Sequence, residues 1–241
     1  MLLAIDSGNT RTKAAVFEAS RLLEQFDIPK NEFQILIDSI LKKYSGITDI
    51  IISSVAQTPQ LQVNSSVSIH QVSHSWKFPF VNLYQTPTTL GADRMVLAAG
   101  AVLQFPGKSR LVIDAGTCIT YDFIDEFDNY LGGAISPGIR LRYEALHNYT
   151  ARLPLLSRDE EEHFIGKSTA SSIHSGVING IVYEINGFIA RHLDNNPNFI
   201  IILTGGDAVF LAKRLKYTIF ANSNFLLESL NKTFQYKIKN D

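Results

Sequence analysis

Cysteine is nearly absent: the 241-residue chain has one, Cys118. A lone thiol excludes an intramolecular disulfide and any zinc site built on clustered cysteines, and it agrees with a reducing compartment. A charge excess of one sign is missing too. Lys plus Arg number 22 against 23 for Asp plus Glu, a net charge of −1, and no stretch is strongly one-signed, so the electrostatic footprint of general nucleic-acid or membrane-surface binding is lacking. The longest uncharged apolar run, Met95 to Leu103, has nine residues, far short of the roughly 20 needed to span a bilayer. The start, Met-Leu-Leu-Ala-Ile-Asp6, lacks a basic segment and soon meets a carboxylate, so no secretory signal is expected and the predicted location is the cytoplasm. Charged residues make up only 19%, below the roughly 25% average, which hints at surface buried in an oligomer. What is present is a hydrophobic fraction of 45% in 26.9 kDa, enough for one large domain or two half-sized ones with real cores.

Leu2 to Ile5 is a short apolar run that meets the turn residues Asp6-Ser7-Gly8-Asn9-Thr10 and is followed by Lys13 to Phe17. It reads as strand, tight turn, strand. Apolar groups at Phe33, Leu36, Ile37, Ile40, Leu41 and Tyr44 predict an amphipathic helix over 31–45 with Asn31 as its cap. Ile50 to Ile52 predicts a buried strand, and a helix is expected from near Leu90 until Pro106-Gly107. Arg110-Leu-Val-Ile-Asp114-Ala-Gly116-Thr117 then repeats the opening pattern 108 residues on. A strand–Asp–Gly–Thr–strand unit recurring half a chain apart suggests a duplicated fold. A strand from Tyr130, helices over 139–149 and 168–192, and an apolar strand at Ile200 to Leu203 running into Thr204-Gly205-Gly206-Asp207 complete the pattern. Strands and helices in this order in each half predict two α/β domains, 1–108 and 109–241, with mixed sheets and a cleft between them.

A strand that ends in Asp and turns through Gly and Thr offers backbone N–H groups to whatever lies above it, and phosphate fits such a surface. Gly8 admits close approach; Asn9, Thr10 and Lys13 supply donors; Asp6 could hold magnesium through water. An ordinary Asx hairpin turn is the plainer alternative, and the second Asp-Gly-Thr with the late Gly-Gly turn weighs against it. Asp93-Arg94 sits at a helix start, where Asp is common as a cap or against the macrodipole. Beside a phosphate cleft the same pair suits a general base next to an anion-binding cation. The six histidines show no metal-ligand spacing. Cys118, within an apolar strand, is expected to be buried and inert.

These residues, taken in order, resemble the type III pantothenate kinases of the actin and sugar-kinase superfamily. Asp6-Ser-Gly-Asn-Thr10-Arg-Thr-Lys13 resembles the family's first phosphate motif, and Tyr84 with Gly91-Ala-Asp93-Arg94 its pantothenate motif. Asp114-Ala-Gly-Thr117 resembles the second phosphate and cation motif. Gly132 to Gly138, Thr150 to Pro154, Gly166-Lys-Ser-Thr169 and Thr204-Gly-Gly-Asp207 follow in family order. The resemblance implies two RNase H-like domains in a homodimer that phosphorylates pantothenate with ATP and magnesium as the first step of coenzyme A synthesis. It implies ATP contacts at Asp6, Ser7, Gly8, Asn9, Thr10, Arg11, Thr12, Lys13 and Thr117, and pantothenate contacts at Tyr84, Gly91, Ala92, Asp93, Arg94 and Thr169. Asp93 would be the proton acceptor, and Asp114 the ligand of a monovalent cation, potassium or ammonium. Two alternatives use the same fold: a catalytically silent regulatory relative serving transcription, and a phosphatase of phosphate chains. Intact Asp6, Asp93, Arg94 and Asp114 speak against the first, and the Gly-Ala-Asp-Arg loop has no use in the second.

Overall fold

The computed structural model describes residues 1–8, 11–54, 61–161, 164–193 and 199–240. It opens with β1 (Leu2–Ser7), β2 (Thr12–Glu18) and β3 (Arg21–Ile28), then α1 (Phe33–Lys43), β4 (Asp49–Ser54), β5 (Ser68–Gln71) and β6 (Val81–Asn82). α2 (Ala92–Gln104), β7 (Arg110–Ala115), β8 (Cys118–Ile124), β9 (Asn129–Pro137), α3 (Ile139–Asn148) and α4 (Thr169–Leu193) follow. β10 (Ile200–Thr204), α5 (Ala208–Ala212), β11 (Phe220–Ala221) and α6 (Phe225–Asn240) close the chain. It divides into two compact units: residues 1–107, 128–131 and 224–241, and residues 108–127 and 132–223.

In the first unit the sheet has the order β3-β2-β1-β4-β5. β1 runs antiparallel to β2 and parallel to β4, with Asp6 opposite Lys13 on one side and Ser53 on the other. One face, carrying Leu3, Ile5, Ala14, Val16, Ile50 and Ile52, packs with Phe33, Ile37 and Ile40 of α1. Burying each of these Leu, Ile, Val and Phe side chains contributes about 1.5–3 kcal/mol, which is why the three- and four-residue spacing of α1 follows the sheet. The helix starts at Phe33 behind a 3-10 turn over Lys30–Glu32, with Glu32 in the cap position and no side-chain cap. Asn31 is therefore not its cap; the tight turn carries the chain past it.

The opposite face meets α6, which also lies along α2. A Cβ on Gly100 of α2 would overlap Oγ and Cβ of Ser229 on α6. Only glycine permits that approach. α6 also donates from Asn231 Nδ2 and Gln235 Nε2 to the carbonyl of Ala19, at 2.9 and 2.8 Å. Ala19 sits in the β2–β3 turn at φ 52°, a left-handed conformation uncommon outside glycine, and the two amides fix it there.

The second unit repeats the plan. The second sheet runs β11-β10-β7-β8-β9-β6, with β7 antiparallel to β8 and parallel to β10, and Asp114 opposite Thr120 and Thr204. Asp6 and Asp114 are thus each the penultimate residue of a strand that has an antiparallel neighbour on one side and a parallel one on the other. The repeat seen in the sequence is a repeat of topology. Its helix face is lined by Ile173, Val177, Ile181, Ile185 and Ile189 of α4, packed with Leu111, Ile113 and Tyr121. Ser168 and Ser171 cap α4 reciprocally: Ser168 Oγ accepts the N–H of Ser171 at 3.2 Å, and Ser171 Oγ accepts those of Lys167 and Ser168 at 2.9 Å. Among the described residues no helix is long and apolar enough to cross a membrane.

Candidate active site

The β1–β2 turn, which the sequence marks as a candidate phosphate turn, closes with Gly8 N–H on the carbonyl of Arg11 at 3.1 Å. Asn9 and Thr10 lie outside the described residues. Ser7 and Thr12 oppose each other in register and are almost wholly buried, at 4% and 1% exposure. Because side chains alternate along a strand, Asp6 and Lys13 share the other face, where Lys13 lines a cavity of about 290 Å³ with Gln25, Asp27, Asn224 and Leu227. Arg11 is exposed.

Arg94 is buried on the first turn of α2, and its guanidinium carbon lies 5.7 Å from the Tyr84 ring centre, within reach of a cation–π contact. Tyr84 in turn meets Tyr130 edge-on at 6.1 Å. Gly91 is the N-cap of α2 and provides no side-chain cap. Asp93 supplies what the cap does not: its Oδ1 accepts the N–H of Arg94 at 2.8 Å. A Cβ on Gly91 would collide with that same oxygen, so glycine there gives Asp93 its orientation. Burial pushes the Asp93 carboxyl above the ordinary carboxylate range, against the Arg94 N–H bond and the Arg94 charge, which pull it down.

In the second unit three stretches that are distant in sequence converge on one turn. Gly116 N–H closes the β7–β8 hairpin on the carbonyl of Cys118 at 2.9 Å, and Gly138 N–H reaches the carbonyl of Thr117 at 3.0 Å. A Cβ on Gly138 would strike the carbonyl oxygens of Gly116 and Thr117. Gly205, at φ +94°, lies so close that a Cβ would meet Asp114 Oδ1 and the Ala115 carbonyl. The N–H of Asp207 adds a bond to Ala115 O at 3.0 Å. Asp207 is held by Arg158 at 2.6 Å, and burial raises its carboxyl against that cation. Thr169 stands exposed at the start of α4. Cys118 is exposed, not buried: it begins β8, and the alternation that turns Ile119 and Tyr121 inward turns Cys118 out.

Sequence reasoning did not single out Arg142, Glu184, Tyr121 or Arg158. The partners of Arg142 lie up to 42 residues away, and no local spacing announces such a link.

Among the described residues no three or more His, Cys, Asp or Glu side chains cluster as a metal cage. The donors at hand, one strand-end carboxylate per phosphate turn, suit a magnesium carried mainly by phosphate and water. Beside Asp114, Gly205 leaves no room for a Cβ, so a cation there would sit against carboxylate and main chain.

Two strand–Asp–Gly turns in duplicated mixed sheets define the class: proteins of the actin and sugar-kinase fold. A candidate 2-dehydro-3-deoxygalactonokinase from Sinorhizobium meliloti shares that fold at TM-score 0.64, with 13% identity and all of both chains covered. A candidate Baf family transcriptional activator from Campylobacter jejuni does so at TM-score 0.63, with 21% identity over 98% of this chain and 99% of that one. Residues 2–191 match the family described as Type III pantothenate kinase. The chain is 64% identical to the type III pantothenate kinase of Flavobacterium johnsoniae over the whole of both chains, and 55% identical to that of Flavobacterium psychrophilum over 98% of this chain and 100% of that one. The chain belongs to the type III pantothenate kinase family, phosphotransferases of coenzyme A biosynthesis.

Proposed function

We propose that this chain transfers the γ-phosphoryl group of ATP to the terminal hydroxyl of pantothenate, with Asp93 as the general base. The observation that carries this reading is the first turn of α2, where a partly buried carboxylate of raised proton affinity is fixed by Gly91 beside the buried cation Arg94. Asp93 aligns the acceptor hydroxyl and takes its proton by the end of transfer; Arg94, on the Tyr84 ring, pairs with the substrate carboxylate. Gly91, Ala92, Tyr84 and Thr169 complete the pantothenate contacts. Phosphoryl transfer depends mostly on positioning and charge. Lys13 and the turn from Asp6 to Thr12, together with Thr117, are the ATP contacts of this proposal. Asp6 would hold magnesium through water, and Asp114 potassium or ammonium; bound there, the cations offset the negative charge of carboxylates and phosphates.

A homodimer in the cytoplasm completes the proposal. Supporting it, Gly176, Gly180, Tyr183 and Gly187 follow one another at four- and three-residue steps on one side of α4. Tyr183 is 58% exposed, and there is open space over Gly176 and Gly187. Incubation with ATP, magnesium and potassium should give 4′-phosphopantothenate by mass spectrometry, with the rate collapsing in sodium-only buffer. Absence of product overturns the kinase reading, and an undiminished rate in sodium overturns the cation.

A further inference from the structure

Four side chains outside the two Asp-Gly-Thr motifs, Arg142, Ser136, Glu184 and Tyr121, form one polar network at the end of β9. Arg142 of α3 donates from Nε to the carbonyl of Pro137 at 2.9 Å and from NH2 to Ser136 Oγ at 2.8 Å. The same NH2 pairs with Glu184 Oε2 of α4, and the other carboxylate oxygen, Oε1, accepts the hydroxyl proton of Tyr121 at 2.7 Å. Tyr121 is fully buried, and Arg142 and Glu184 are only 22% and 24% exposed. The fork of Arg142 therefore ties the end of β9 to two helices and to the core of the sheet. Pro137 leads directly into Gly138, whose N–H holds the carbonyl of Thr117 and whose missing Cβ lets it lie against Gly116.

We infer that Arg142 and Glu184 are positioning residues for the nucleotide: by fixing Ser136–Pro137 they set Gly138, and Gly138 sets the Gly116–Thr117 turn against the ATP phosphates. This rests on the kinase reading only in assigning that turn to ATP. The network touches no reacting group. It acts through main chain, so a shift of a few tenths of an ångström at Pro137 reaches Thr117 over one residue and one hydrogen bond. Planar, multiply donating recognition is specific to arginine. Lysine keeps the charge and loses the fork. Glutamine at 184 keeps an acceptor for Arg142 and a polar neighbour for Tyr121, whereas alanine leaves the guanidinium without its carboxylate.

The test is calorimetric titration of the whole protein with ATP and magnesium, together with steady-state kinetics. The titration stoichiometry reports the folded fraction, so the dissociation constant is independent of partial unfolding. Arg142→Lys and Glu184→Ala are each expected to weaken ATP at least tenfold and to raise its KM in parallel, with the KM for pantothenate within twofold of wild type. Glu184→Gln should recover ATP affinity to within about threefold. Unchanged ATP affinity in Arg142→Lys overturns the inference, as does an equal loss for both substrates or a Glu184→Gln variant as weak as Glu184→Ala. Wild-type protein that binds ATP without turning over pantothenate would sink the kinase reading while leaving the network testable by titration. Wild type that fails to bind ATP would sink both.

Discussion

Asp93 carries two readings that a single substitution separates. As a helix-start residue it would stabilise α2 through the Arg94 N–H, and losing such a contact costs about 0.5–2 kcal/mol. As the base it is ionised at a cost, because burial lifts its proton affinity. A carboxyl raised in the folded state binds protons more tightly there than when unfolded. Stability then falls as pH climbs from the ordinary carboxylate value through the raised one, and stays lower above it. Asp93→Asn removes that cost while keeping size and some capping. It should lower kcat by about 10²–10⁴-fold with no loss of melting temperature at neutral pH. Wild-type kcat should decline as pH falls through the raised carboxyl value, and this acid limb should vanish in the variant. A variant that is active yet less stable would make Asp93 a cap alone; stopped assays across pH together with thermal melts decide.

At the scale of elements, α2 packs closely on α6 where Gly100 meets Ser229. Gly100→Ala must push Ser229 aside, and overpacking of this kind costs about 1–3 kcal/mol. Ser229 Oγ is buried and has no hydrogen-bond partner among the described residues, so Ser229→Ala should be neutral or stabilising by about 1 kcal/mol. Urea unfolding of the two variants and wild type checks both signs; a neutral Gly100→Ala would mean the helices can separate freely. The same pair shows where the sequence was readable. α2 is apolar on nearly every side and bounded by Gly91 and Pro106-Gly107, and α4 carries isoleucines at helical spacing, so both were legible. α6 was not, because Ser229, Asn231 and Thr233 are buried alongside Leu230 and Phe234 and blur its period. β3, half exposed at a sheet edge, and β6 and β11, two residues each, hold too little apolar surface to stand out. The candidate site was legible where glycine and aspartate must be adjacent in sequence, as at Gly91 to Arg94. It was illegible where contact joins distant segments, as for Arg142 with Glu184 or Gly205 with Asp114.

At the scale of the molecule, the dimer proposal places the open side of α4 in an interface. Tyr183→Asp would put a charge among Gly176, Gly180 and Gly187, where a closely approaching copy leaves no water for it. Sedimentation should show a dimer for wild type and a shift toward monomer for the variant at micromolar concentration; two indistinguishable profiles would remove α4 from the interface. The placement of α6 has a consequence of another kind. Its amides grip Ala19 from 212 and 216 residues away, and it covers the face of β1, β2 and β4 turned away from α1. A ribosome releases those strands early and that cover last. At about 5–20 residues per second, the opening sheet waits ten seconds or more, on the order of 200 residues of synthesis, with one apolar side lacking its partner. The second unit, whose segments are contiguous apart from a four-residue excursion, has everything it needs before then. The usual order of vectorial folding is therefore inverted: the half begun first is the half finished last.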